Sequence, residues 1–315
     1  MYRSDLGWSL VVAAAMTAAA CSPPPVERPI VIAHRGASGH LPEHTLAAYA
    51  LAHGQGADYI EPDLVRTRDG AFICLHDIHL EATTDVEEAF PDRHREDGRW
   101  YAADFTLEEI RSLRAHERLP GRFPEASAAR FAVPTFEEMI ELVQALDRST
   151  GRRTGIYPEL KAPSFHRDER LAMEQDFLAI AGRYGYRDPS SPIFVQCFEE
   201  GSLEEMRRLG SRLPQIFLLG GEQERPLDAA RLAEIAGFAD GIGPAKEMIY
   251  EDAGLVGRAH AAGLLVHPYT LRADDVHESF ATLDAELEAL YGEAAVDGLF
   301  TDFPDLARRF LDRDD

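Results

Sequence analysis

The sequence is short of cysteine and of positive charge, and it holds no apolar run long enough to cross a bilayer. Three cysteines stand in 315 residues. Cys74 and Cys197 sit inside apolar, strand-like runs. Nothing in the sequence brings them together, so they read as buried thiols rather than as a bridge. Lysine and arginine number 32 against 55 aspartates and glutamates, a formal charge of −23. Binding nucleic acid without regard to sequence needs cations facing phosphates, and this chain lacks the surplus. The same balance argues against a general attraction to anionic membranes. A phosphate-bearing substrate must then be drawn by a local cation, either a bound divalent metal or a few arginines and lysines. The apolar stretch at residues 6–20 is too short for a membrane span and has the length of a signal-peptide core. It ends Ala18-Ala19-Ala20-Cys21, similar to a bacterial lipoprotein cleavage box with Ala18 where leucine is usual. We expect residues 1–20 to be a lipoprotein-type signal peptide and Cys21 to be acylated. Residues 21–29, with three consecutive prolines, form a stiff linker. The mature protein is then extracytoplasmic, periplasmic or membrane-anchored; an ordinary cleaved signal peptide is the plainer alternative. Also missing are a repeat of fixed period and a glycine-rich nucleotide-binding turn after the first strand.

What is present is a globular composition, 45% hydrophobic and 28% charged, enough to build a sizeable core. From residue 30 short apolar runs alternate with longer helical patterns. Strands are expected at 30–34, 59–64, 72–76, 155–159, 193–198, 215–219, 241–243, 264–269 and 298–301. Helices are expected at 46–53, from Thr135 onward behind a Thr-Phe-Glu-Glu capping box, and at 171–184, 203–209, 229–236 and 252–262. Strand-then-helix order argues for a parallel sheet wrapped by helices, an α/β fold of the TIM (β/α)₈ type spanning 30–315. Residues 79–130 break the alternation. They are rich in charge and turn residues, carry one capped helix at 106–113, and read as an insertion on the barrel rim after the third strand.

Titratable residues end four consecutive strands: His34 and Arg35, Glu61 and Asp63, His76 and Asp77, Glu159 and Lys161. Barrel enzymes place their chemistry at these strand ends. Glu61 and Asp63 are two apart and point to one face. Asp69-Gly70 between apolar runs is a two-residue hairpin signal. It sets Arg68 opposite Ala71 and, stepping back, Asp63 opposite His76, with Cβ atoms roughly 5 Å apart. The hairpin also accounts for a ninth strand in an eight-stranded barrel. Carboxylates that share an interior face repel unless neutralised. An all-oxygen set of Glu61, Asp63 and Glu159 suits Ca²⁺ or Mg²⁺ rather than zinc. A structural ion network with Arg35 and Lys161 is the alternative. His34 and His76 can move the protons that phosphodiester cleavage requires, and Arg35 and Lys161 can hold phosphate oxygens. His44 and His267 stay undecided; the other histidines read as structural.

These residues fall in an ordered series: Ala-His-Arg-Gly-Ala-Ser-Gly at 33–39, Leu-Pro-Glu-His-Thr at 41–45, Glu-Pro-Asp-Leu at 61–64 and Leu-His-Asp at 75–77. Pro-Glu-Leu-Lys at 158–161, Gln-Cys-Phe at 196–198, His-Pro-Tyr-Thr at 267–270 and Thr-Asp-Phe-Pro-Asp at 301–305 continue it. The series resembles the glycerophosphodiester phosphodiesterase family, in particular its periplasmic and lipoprotein branch. The resemblance implies a TIM barrel that hydrolyses deacylated phospholipids such as glycerophosphocholine to glycerol 3-phosphate and an alcohol. It implies Glu61, Asp63 and Glu159 as ligands of Ca²⁺, with Mg²⁺ the alternative, and His34 and His76 as the catalytic pair. Arg35 matches the family's phosphate arginine with Lys161 beside it, Glu43 the acid that orients the site, and Phe198 and Tyr269 would pack on the glycerol. The partner is a small phosphodiester, with no nucleic acid and no membrane contact beyond the lipid anchor. A phospholipase C- or D-like lipid phosphodiesterase and a non-catalytic surface-binding lipoprotein are the competing readings.

Overall fold

The computed structural model describes residues 28–119, 121–123, 129–220 and 225–313. The apolar leader, Cys21 and most of the proline linker lie outside the described residues. Among those described, the strands in chain order are β1 (Ile30–Ala33), β2 (Tyr59–Ile60), β3 (Asp63–Arg66), β4 (Phe72–Cys74), β5 (Gly155–Ile156), β6 (Glu159–Leu160), β7 (Val195–Cys197), β8 (Gln215–Leu219), β9 (Gly241–Pro244), β10 (Leu265–Val266) and β11 (Gly298–Thr301). All pairings are parallel except β3 with β4.

The architecture is that of a TIM barrel. Two staves are each cut in two by a proline, Pro62 between β2 and β3 and Pro158 between β5 and β6. Proline has no N–H to give a ladder. The backbone runs on regardless: Glu61 N–H donates to Ala33 C=O at 3.1 Å, and Glu159 N–H to Pro62 C=O at 2.9 Å. These cuts split the ladder into a four-stranded sheet, β11-β1-β2-β5, and a seven-stranded sheet, β10-β9-β8-β7-β6-β3-β4, so it does not close as one continuous barrel. Single backbone bonds join the two sheets, such as Phe300 N–H to Pro268 C=O at 3.0 Å and Phe194 N–H to Ile156 C=O at 3.1 Å. The surplus ninth strand of the sequence is β4, the return arm of the hairpin.

Helices pack outside, against a core that runs through Tyr49, Ile140, Phe177 and Leu232. The helix Phe136–Thr150 shows how local sequence sets it. The Thr135 hydroxyl accepts from Glu138 N–H, Glu138 answers to Thr135 N–H, and Phe136, Ile140 and Val143 turn inward. The barrel axis is filled by Ile32, Tyr157, Phe194, Ile216 and Phe300. The described residues of the 79–130 stretch build no layer of their own. Leu80, Trp100, Phe105, Ile110 and Leu113 pack on Val65 and Ile73 of the hairpin. The capped helix there is Leu107–Arg111, shorter than expected.

The hairpin register corrects the sequence reading. Leu64 pairs with Cys74, Val65 with Ile73 and Arg66 with Phe72. Asp63 therefore lies beside Leu75, whose N–H donates to its carbonyl at 3.0 Å, and not beside His76. The loop has three residues, Arg68 to Gly70, closed by Thr67 N–H to Ala71 C=O at 3.0 Å. A two-residue turn of the Asn-Gly type needs positive φ at both central positions, and here only Gly70 adopts it, at 84°. The Asp69 carboxylate accepts instead from the Thr67 hydroxyl at 2.6 Å and Leu107 N–H at 3.0 Å, and Arg68 N–H goes to Phe105.

Candidate active site

The acidic cluster forms as expected. Glu61, Asp63 and Glu159 are buried and present oxygens all within 4.8 Å of one another. Glu61 and Asp63 flank the Pro62 break, and Glu159 opens β6 directly beside Asp63. Glu61 accepts from Arg35 N–H at 2.9 Å and from the Gln196 side-chain amide at 2.7 Å. Asp63 Oδ2 meets His44 Nε2 at 2.9 Å, while Asp63 Oδ1 is buried with no hydrogen-bond partner. Glu159 faces Lys161 Nζ at 2.8 Å. Burial, with Asp63 and Glu159 adding their charge, holds the Glu61 carboxyl well above the usual range. Burial likewise lifts Glu159 to about 8. Burial acts on Asp63 in the same sense, but Lys161 and the hydrogen-bonded His44 outweigh it and hold its carboxyl low. Three acids that cannot all ionise together, with one orphaned oxygen among them, have the donor chemistry of a hard divalent cation site.

Two histidines reach the same cleft. His34 directly follows β1, in a turn where Arg35 and Gly36 both take left-handed backbone, at φ 59° and 85°. A Cβ on Gly36 would lie 2.8 Å from the Ala48 carbonyl carbon, so this turn requires glycine. The His34 Nδ1–H donates to Asp302 at 2.6 Å, and its Nε2 lies 4.0 Å from Glu61. Burial lowers the His34 pKa to about 4, with Arg35 acting the same way and Asp302 opposing. His76 follows the end of β4, where strand alternation no longer dictates its direction. Its Nδ1–H donates to Asp77 at 2.8 Å. Burial lowers its pKa too, against that hydrogen bond. An ionised carboxylate only accepts, so each aspartate fixes its ring as the Nδ1–H form and leaves Nε2 free.

His34, Glu61, His76, Glu159, Lys161 and Phe198 all line one cleft. Arg35 also lines it, with its guanidinium 3.1 Å from Glu43 and 3.5 Å from Asp63. Glu43 does not line the cleft. It is gripped by Arg35 and by both arms of Arg118, at 2.9 and 3.0 Å, and these cations bring it down to about 2 against the effect of burial. Phe198, 44% exposed, stands edge-on to Tyr269 at the mouth with the Lys161 ammonium 5.7 Å from its ring centre.

Of the undecided histidines, His44 holds a buried position between Tyr49 and Asp63. His267 does not line the cleft; it packs edge-on against Tyr157 and Phe194 of the barrel axis, with Nδ1 2.8 Å from the Tyr157 hydroxyl. Cys74 and Cys197 are free and buried. Asp302 and Gln196 received no role from sequence, although both stand in recognisable strand-end motifs. Arg118 and Arg122 gave no signal at all, because an irregular loop carries no periodicity that says what it touches.

The glycerophosphoryl diester phosphodiesterase family model matches residues 34–306, from the first site histidine to beyond Asp302. This chain belongs to that family. It is 36% identical to a glycerophosphodiester phosphodiesterase of Haemophilus influenzae, over 90% of this chain and 89% of that one. It is 32% identical to one of Treponema pallidum, over 90% and 91%. Among solved structures, an Oleispira antarctica phosphodiesterase in complex with the product sn-glycerol-3-phosphate aligns at a TM-score of 0.66 and 23% identity. That match covers 90% of this chain and 97% of that one, a likeness of fold. A family spread over such identities shares its barrel more widely than its loops.

Proposed function

We propose that this protein hydrolyses glycerophosphodiesters to glycerol 3-phosphate and an alcohol, using a divalent cation held by Glu61, Asp63 and Glu159. One observation carries the reading: two histidines, each with Nδ1 tied to an aspartate, share a cleft with Glu61 and Glu159, and Asp63 is crowded against that pair of carboxylates. When bound, the cation neutralises phosphate charge and helps to orient the diester. The chain's own groups do the rest. Arg35 and Lys161 supply positive charge at the cleft wall for the non-bridging oxygens. One histidine takes the proton of the attacking oxygen through its free Nε2, and the other, protonated, gives one to the departing alkoxide. Asp302 and Asp77 fix the rings in place and stabilise the imidazolium that each proton transfer creates. Phe198 and Tyr269 offer an apolar edge to the glycerol backbone. The Oleispira structure, with glycerol 3-phosphate bound, supports this product class.

For the cation we propose Ca²⁺, with Mg²⁺ the competitor, because three carboxylates with varied reach suit the larger and more permissive ion. Stripping the protein with EDTA and adding back each ion during a glycerol 3-phosphate release assay separates them. Intact phospholipid offered in parallel tests the lipid phosphodiesterase reading, which predominant turnover of the lipid would favour. We further propose export through residues 1–20 with acylation at Cys21. Detergent phase partitioning of the wild type and of Cys21→Ala distinguishes that from an ordinary cleaved leader.

A further inference from the structure

The insertion reaches the catalytic face at two points five residues or fewer apart. Arg118 places Nη2 2.8 Å from Asp77 Oδ2. The other oxygen of that carboxylate, Oδ1, receives His76 Nδ1–H at 2.8 Å. Arg122 places Nη1 2.8 Å from Asp302 Oδ2. There too the other oxygen, Oδ1, receives the histidine, His34 Nδ1–H at 2.6 Å. The arrangement is the same twice over: one carboxylate, one oxygen to the histidine and the other to an arginine of the insertion. A carboxylate held on one oxygen can still swing about its Cβ–Cγ bond. Held on both, it has a fixed plane, and the imidazole bonded to it has a fixed direction.

Each arginine is itself anchored. Arg118 also forks onto Glu43, at 2.9 and 3.0 Å. Arg122 forks onto Asp274, at 2.6 and 2.8 Å, and lies 5.6 Å from the Phe303 ring centre. The start of the segment is tied down as well, since Ala115 N–H donates to Phe131 C=O at 2.9 Å and His116 N–H to Thr83 C=O at 2.9 Å. Arg272 also reaches Asp302 Oδ2, at 3.0 Å, from the barrel itself, so the His34 arm has a second support that the His76 arm lacks among the described residues.

We propose that Arg118 and Arg122 are positioning residues for catalysis, through which the insertion orients His76 and His34 by way of Asp77 and Asp302. This rests on the two-histidine reading above. Neither arginine touches the reacting atoms. The asymmetry in support makes the Arg118 arm the more sensitive of the two.

Double-mutant cycles test this, because a residue that acts through a histidine has little left to do once that histidine is gone. The variants are Arg118→Ala, His76→Ala and their combination, and Arg122→Ala, His34→Ala and theirs. The readout is kcat and KM for glycerol 3-phosphate release from glycerophosphocholine by the full protein. The expected result is a fall in kcat of about ten-fold or more for Arg118→Ala and somewhat less for Arg122→Ala. Each loss should shrink to within about three-fold in the matching histidine-free background. A loss that persists undiminished without the histidine means that the arginine acts elsewhere, and overturns the proposal. A kcat within about two-fold of wild type for both single variants overturns it too. Should either alanine variant fail to fold, Arg118→Lys and Arg122→Lys keep the charge and lose the fork, and a wild-type kcat in them carries the same refutation. ¹⁵N spectra of the two histidine rings give a second readout: loss of the arginine should loosen the Nδ1–H to carboxylate bond and shift the Nδ1 resonance of the matching ring, and an unchanged resonance counts against the proposal. Failure of the functional reading looks different, since the wild type would then release no glycerol 3-phosphate or would do so without need of either histidine.

Discussion

Replacing Glu61 by glutamine separates a cation site from a structural ion network, because the two accounts give that residue opposite roles. Two unit charges 4.8 Å apart repel by about 3.5 kcal/mol at an effective dielectric of about 20. Glu61 sits that close to both Asp63 and Glu159, and burial adds to the cost of its charge. A neutral glutamine should therefore be tolerated, or even stabilise, in protein stripped of cations. Hydrogen bonding allows it: Glu61 receives the Gln196 amide, whose own oxygen is buried without a partner, so a flip of that amide lets this oxygen accept from the new side-chain NH2 while the new carbonyl keeps the Arg35 N–H. With the cation the order reverses. Ca²⁺ at a hundred times its dissociation constant stabilises the wild type by about 2.7 kcal/mol. In a domain of this size that raises the unfolding temperature by about 5–10 °C. If loss of one carboxylate weakens binding about a hundred-fold, the same Ca²⁺ concentration gives only about 0.4 kcal/mol, or 1–2 °C. Thermal unfolding of both proteins after EDTA treatment, with Ca²⁺ or Mg²⁺ titrated back, measures all of this without any activity assay. An equal shift in the two proteins, or none in the wild type, refutes the cation site. A Glu61→Gln protein that is much weaker when cation-free would favour the ion network with Arg35 and Lys161.

His34→Ala and His76→Ala should each lower kcat by about 10²–10⁴-fold while circular dichroism stays native, and retention of activity in either removes it from the mechanism. His166 and His267 are fully buried, and burial lowers both to about 4, with Arg66 adding to the effect at His166. Below pH 6.5 the unfolded chain binds protons that the folded one refuses, so their stabilising effect is complete above pH 6.5 and declines as pH falls towards 4. Each accounts for a loss of up to about 3 kcal/mol, which urea midpoints between pH 7.5 and 4.5 would register and His166→Leu should reduce; an unchanged pH slope in that variant contradicts the assignment. Thr135→Ala removes the cap of the Phe136–Thr150 helix and should cost about 1 kcal/mol, a drop of about 2–4 °C in unfolding temperature with activity intact.

Much of this molecule could be read from sequence because its signals are local. Strand and helix periodicity gave the parallel order, and the capping boxes at Thr106 and Thr135 lie where the residues put them. The acidic cluster followed from two carboxylates two residues apart and a third on the neighbouring stave. The proline cuts at Pro62 and Pro158 could not be weighed in advance, because a broken stave depends on which N–H its neighbour needs. The hairpin register slipped by one residue because Asp69 is occupied by Thr67 and Leu107, and the second of these comes from the insertion. His76 still reached the cleft, but only because β4 ends before it. Least legible were the contacts that cross the chain. Asp302 meets His34 across 268 residues, and Arg122 meets Asp274 across 152. No spacing rule reports such pairs. The short helix Pro163–Asp168 was also missed, since six residues are too few to show a period.

The central claim is metal-dependent release of glycerol 3-phosphate from a glycerophosphodiester. It is tested most directly by following that product from glycerophosphocholine with EDTA-stripped protein, before and after Ca²⁺ is restored. We expect negligible turnover in the stripped protein and full recovery on addition of the ion, with partial recovery at most in Glu61→Gln at the same concentration. Full turnover in the stripped protein, or none under either condition across several head groups, would contradict it.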